Sequence, residues 1–93
     1  MYEGASRSLR ILADHSRAVT FMLADGIRPG NEGRGYVLRR LIRRAIMHGH
    51  LLGISEPFMR RYAEAVIDIM GEHYHELVDQ RALVIKFLES EEE

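Results

Sequence analysis

Val37-Leu38-Arg39-Arg40-Leu41-Ile42-Arg43-Arg44-Ala45-Ile46 is the stretch on which the fold turns. At about 100° per residue, Arg39, Arg40, Arg43 and Arg44 fall within an arc of roughly 140°, and the six apolar residues occupy the remainder. One face is built for burial. The other presents four guanidinium groups, with no acid between Gly33 and Gly49 to neutralise them. The pattern predicts a helix over about residues 34–48, broken by His48-Gly49-His50.

Upstream, Gly26-Ile27-Arg28-Pro29-Gly30-Asn31-Glu32-Gly33 packs three glycines and a proline into eight positions, which is loop chemistry. Before it, Leu9, Leu12, Ala13, Ser16, Val19, Thr20 and Leu23 recur at spacings of three and four and predict an amphipathic helix over 8–25, ended by Gly26. Downstream, Ser55-Glu56-Pro57 offers a cap and a first-turn proline for a third helix over 57–70. Gly71 marks its end, and Leu77, Ala82, Leu83, Ile85, Phe87 and Leu88 predict a last helix over 75–93. No strand pattern appears. The expected fold is all-α, an irregular bundle of about four helices in which short loops make sequential helices neighbours.

Ninety-three residues fit one small domain, which buries about 60 to 65% of the surface of its unfolded chain and has a thin stability margin. With 46% hydrophobic and 29% charged residues the chain has the composition of a folding sequence, not a disordered one. The absence of cysteine excludes disulfides and thiolate metal sites. No apolar stretch of signal-peptide length precedes the first arginines and none reaches the roughly 18 to 20 residues of a membrane span, so no membrane role and a cytoplasmic location are expected.

The net charge of −1 hides an asymmetry. Residues 1–50 hold nine arginines against Glu3, Asp14, Asp25 and Glu32, a balance of +5, whereas residues 51–93 hold Arg60, Arg61, Arg81 and Lys86 against ten acids, a balance of −6. A polyanion therefore meets the first half. Twelve of the thirteen basic residues are arginine, whose planar fork suits phosphates and base edges. Tyr36 projects near the centre of the basic arc, where a ring stacks on a base or supports a guanidinium. The competing reading is that these arginines pair with the acidic second half.

Gly30-Asn31-Glu32-Gly33-Arg34-Gly35 invites a phosphate-loop reading but lacks the Lys-Ser/Thr pair and the preceding strand that such a loop needs. Asn31 has two readings, as helix N-cap or as a reader of a base edge, and an oxygen committed to capping is less free for a base. His48, His50, His73 and His75 form two His-x-His pairs without matching carboxylates or cysteines, and no metal is assigned to them. Glu89, Glu91, Glu92 and Glu93 sit where the last helix presents its negative pole, a costly placement unless the natural helix continues into a longer protein or frays as a tail.

Asn31-Glu32-Gly33-Arg34-Gly35-Tyr36-Val37-Leu38-Arg39-Arg40-Leu41-Ile42-Arg43-Arg44-Ala45 resembles the signature of alanyl-tRNA synthetases. Ser8-Leu9-Arg10-Ile11-Leu12-Ala13-Asp14-His15, Glu56-Pro57-Phe58 and Met70-Gly71-Glu72 resemble further landmarks, so the similarity covers nearly the whole chain. The resemblance implies a helical segment between the class II aminoacylation domain and the editing domain, gripping the acceptor stem of alanine tRNA. It implies that Asn31 helps recognise the G·U wobble pair and that Arg39, Arg40, Arg43 and Arg44 support the stem. With Arg34 and Tyr36 these form the candidate RNA-binding set.

The family often has serine or aspartate where Gly30 stands, and it reads the wobble pair jointly with an aspartate beyond this segment. The class II motifs, the editing histidines and the editing cysteine are absent, so no catalytic residue is assigned. The parent enzyme is expected to join alanine to tRNA with ATP and magnesium, neither held by this segment. Two other functions stay open: a helical module gripping duplex RNA or DNA through phosphates alone, and a helical linker or protein-interaction segment.

Overall fold

The computed structural model describes residues 4–54 and 57–92, and among them the chain forms five helices and no strand. They are α1 (Ala5–Ala24), α2 (Gly33–Leu51), α3 (Met59–Met70), α4 (His75–Asp79) and α5 (Arg81–Glu92). The all-α expectation is met. Leu38, Ile42 and Ala45 of α2, three of the predicted apolar positions, are completely buried. They meet Leu12, Val19 and Leu23 of α1, Met59 and Ala63 of α3, and Val84 and Leu88 of α5 in one core. α1 and α2 form the largest contact, and a bond between Ser8 and His48 shows that they run antiparallel.

Both long helices end in the same device. Gly26 adopts φ 99°, its N–H donates to the Leu23 carbonyl, and the Ile27 N–H donates to the Met22 carbonyl. These two bonds satisfy carbonyls that a helix end leaves open, and the left-handed turn is one that glycine enters without strain. Gly53 at φ 92° repeats the arrangement, with its N–H on His50 and that of Ile54 on Gly49.

The expected break at His48-Gly49-His50 is therefore corrected: α2 runs on to Leu51 and Gly53 ends it. Gly49 lies within the helix, and the buried ring of Phe58 packs where its Cβ would stand. This glycine makes room for a side chain; it is not a turn signal.

α3 begins at Met59, not at the expected 57; Pro57 precedes it, and the proposed cap at Ser55-Glu56 lies outside the described residues. Its first N–H groups are capped from the other end of the chain. The Glu92 carboxylate accepts from the Phe58 N–H at 2.8 Å and the Met59 N–H at 2.9 Å. Gly71 stands at the C-cap as expected.

The single helix expected over 75–93 is two. Gln80, at φ −100° and ψ 9°, leaves helical geometry between α4 and α5. No glycine or proline signals this bend. It lets α4 pack on α1 and α3 while α5 crosses α3, α1 and α2. Glu93 lies outside the described residues.

Replacing Gly49 by alanine tests the Phe58 contact by sign as well as size. In an open helix interior that change stabilises by about 1 kcal/mol. Here the added methyl meets a buried ring, and a loss of about 1 to 3 kcal/mol is expected in urea unfolding. A gain in stability contradicts the packing described.

Candidate nucleic-acid interface

The loop before α2 is held on three sides. Arg28 donates through Nη1 to the carbonyls of Leu23 at 3.0 Å and Ile27 at 3.1 Å, and its guanidinium lies 4.7 Å from the ring centre of Phe87 on α5. The Gly30 N–H donates to the Gly35 carbonyl at 3.1 Å. A Cβ on Gly35 would stand 2.6 Å from the Arg28 carbonyl, so the backbones approach closely only because Gly35 has none. Asn31 is thereby presented on a fixed loop.

Asn31 is not the helix cap. α2 begins at Gly33, itself at φ 60°, so Glu32 occupies that position, and its side chain makes no capping hydrogen bond. The exposed Asn31 side chain instead accepts at Oδ1 from Arg39 Nη1, 3.0 Å away. Its amide NH2 makes no hydrogen bond among the described residues.

The four arginines divide. Arg39 is partly buried and bound twice by Glu91, Nε to Oε2 and Nη2 to Oε1, both at 3.1 Å. Pairing with the acidic half is thus realised at Arg39. Arg40, Arg43 and Arg44 are exposed and make no ion pair among the described residues, as is Arg34 at the start of α2. The Arg40 guanidinium lies 5.7 Å from the ring centre of Tyr36, which is one of the two roles open to that tyrosine. Tyr36 and Val37 remain 48% and 49% exposed, so a flat apolar surface adjoins the charges. Val37, Arg40, Leu41 and Arg44 line a shallow groove along the helix.

The basic face reaches α1 at His15. Burial pushes the pKa of this half-buried imidazole below the usual histidine value, and the positive fields of Arg44 and then His48 push it the same way against a smaller opposing effect of Asp14. His48 is buried and shares a 2.8 Å hydrogen bond with Ser8, while His50, His73 and His75 are exposed. Among the described residues no three histidines or carboxylates converge as a metal site. No helix among them is long and apolar enough to cross a membrane.

The acidic half spends part of its charge internally: Glu64 binds Arg60 at 2.7 Å and Arg81 at 3.1 Å. Asp68, Glu72, Glu76 and Asp79 stay exposed on α3, α4 and the turn between them. Sequence reasoning missed Glu91, Arg28 and His15. Glu91 is 52 positions from Arg39, and no local pattern announces such a pair. Arg28 had a weak signal, being an arginine inside a glycine-rich loop.

The sequence that builds this site matches a known family along its full length. The chain belongs to the class II (A) tRNA synthetases, whose family model covers residues 1–93. Within that class it is similar to alanine–tRNA ligases. It is 53% identical over 91 residues to that of Streptococcus suis, covering 98% of this chain and 10% of the relative. To the Thermotoga maritima protein it is 54% identical over 85 residues, 91% of this chain and 10% of the relative. The chain spans about a tenth of the length of the curated relatives it matches.

Two measurements probe this face. RNA binding should weaken steeply with salt, and Arg40→Ala or Arg44→Ala should each flatten the slope of log K against log salt by roughly 0.5 to 1; unchanged slopes in both variants return these arginines to plain solvated surface. The lowered His15 pKa means that the unfolded chain binds the proton first. Stability should then be full above about pH 6.5 and fall as the pH drops through the folded-state value. His15→Gln should shrink the loss of melting temperature on acidification, and an identical acid loss in the variant contradicts this.

Proposed function

We propose that this chain is the tRNA-recognition segment of an alanine–tRNA ligase and that α2 with its leading loop grips the acceptor stem of alanine tRNA. The observation that carries the reading is that Asn31, with an unbonded NH2, precedes a helix on which Tyr36, Arg40, Arg43 and Arg44 are all exposed, among described residues that supply these arginines no carboxylate. Asn31 reads the G·U pair, the arginines contact phosphates, and Arg34 approaches the backbone from the start of the helix. A-form RNA suits such a surface, because its wide minor groove exposes base edges and 2′-hydroxyls while phosphates rim it. The phosphate contacts supply affinity and the amide supplies choice.

In the whole ligase the segment works with the aminoacylation and editing domains, in the cytoplasm. There alanine is joined to tRNA with ATP as the energy source and magnesium on the nucleotide. No residue described here is assigned a part in that chemistry. Arg39 supports the stem indirectly, since Glu91 already holds its charge.

Asn31→Ala, introduced into a full-length alanine–tRNA ligase carrying this segment, should reduce the preference for G·U over G·C stems by about 1 to 3 kcal/mol in charging kcat/KM. Melting should barely change, because Asn31 caps no helix. A variant that keeps the wild-type preference leaves a grip through phosphates alone as the better reading.

A further inference from the structure

We propose that Glu91 is a positioning residue for Asn31, acting across the bundle through Arg39. This rests on the reading of Asn31 as the base reader. A carboxylate that receives two parallel N–H bonds fixes both the position and the plane of a guanidinium. Glu91 does so through Nε and Nη2 of Arg39, each at 3.1 Å, and the pair is partly buried. The remaining terminal nitrogen, Nη1, then points at Asn31 Oδ1 at 3.0 Å. α5, α2 and the loop are joined by three hydrogen bonds, a parallel pair from Arg39 to Glu91 and one onward from Arg39 to Asn31.

The consequence for Asn31 is chemical. A guanidinium only donates, so the amide atom facing Arg39 has to be the oxygen, and the two possible orientations of the amide become one. The group left facing outward is the NH2. Asn31 therefore offers donors to its target, and the atom it addresses is an acceptor on a base edge or a sugar hydroxyl. Without Glu91 the guanidinium swings free, the amide flips, and donor and acceptor are offered by turns. Discrimination falls although no group that touches RNA has been removed.

The relay also explains how residues 52 apart serve one site. Glu92, next in the chain, is bound to the start of α3 through the N–H groups of Phe58 and Met59. That clamp stops the end of α5 from fraying, so Glu91 arrives at Arg39 on a fixed backbone.

Two readouts test this, one without RNA. In the 93-residue chain, the side-chain NH2 of Asn31 should be rigid by 15N relaxation, and Glu91→Ala should loosen it while the melting temperature stays within a few degrees. Arg39→Lys should loosen it as well, since one ammonium cannot bridge carboxylate and amide in the same plane. An equally rigid amide in both variants overturns the positioning role, whatever RNA does.

In the full-length ligase, Glu91→Ala and Arg39→Lys should each lower the G·U over G·C charging ratio about tenfold, and Glu91→Ala should leave alanine-dependent ATP–pyrophosphate exchange unchanged. Added to Asn31→Ala, neither should lower it further. A full ratio in Glu91→Ala beside a lost ratio in Asn31→Ala overturns the relay and leaves base reading intact. A full ratio in Asn31→Ala instead refutes base reading, and the relaxation data alone then decide whether Glu91 positions the amide.

Discussion

Burial of Leu38, Ile42 and Ala45 is the constraint on which the other features hang, because it fixes the rotation of α2 about its own axis. Each large apolar side chain removed from water contributes about 1.5 to 3 kcal/mol, and turning the helix would expose two of them and sink arginines in their place. Arg40, Arg43 and Arg44 face outward as a result, with no carboxylate to pair them among the described residues. The exposed basic face is what remains of a helix after its core side is decided.

A second constraint comes from the acidic end of α5. Three acids in the last turn of a helix oppose its dipole, and here tertiary partners offset that cost. Glu92 meets the positive start of α3, Glu91 meets Arg39, and Glu89 comes within 4.0 Å of Arg60. The same carboxylates hold α5 against α2 and α3. Arg28 adds a further tie by laying its guanidinium on Phe87, so the loop that carries Asn31 leans on α5 as well. Site and scaffold share the same few contacts.

Local pattern made much of this legible in advance. Alternating pairs of apolar residues and arginines on α2 have one helical solution, and Gly26 marks the end of α1 within a residue. Position 49 misled because a glycine beside histidines looks like a stop, whereas its purpose is to admit the Phe58 ring. The bend at Gln80 had no residue to betray it. Asn31 left cap and base reader both open until the start of α2 at Gly33 removed the first. Glu91 reads as a liability because sequence shows an acid beside a dipole and not the arginine brought to it from α2. Whatever depended on contacts across the bundle was hidden, and whatever depended on period and turn chemistry was visible.

The claim that α2 turns its functional face to RNA is tested most directly by mapping the contact on the chain itself. An acceptor-stem hairpin bearing the G·U pair, titrated into 15N-labelled protein at low salt, should shift the signals of Asn31, Tyr36, Arg40, Arg43 and Arg44. The exposed apolar residues Ile69, Tyr74 and Val78 of α3, the following turn and α4 should stay unmoved. Shifts gathered around Ile69 and Val78 with α2 silent would contradict the assignment of the face.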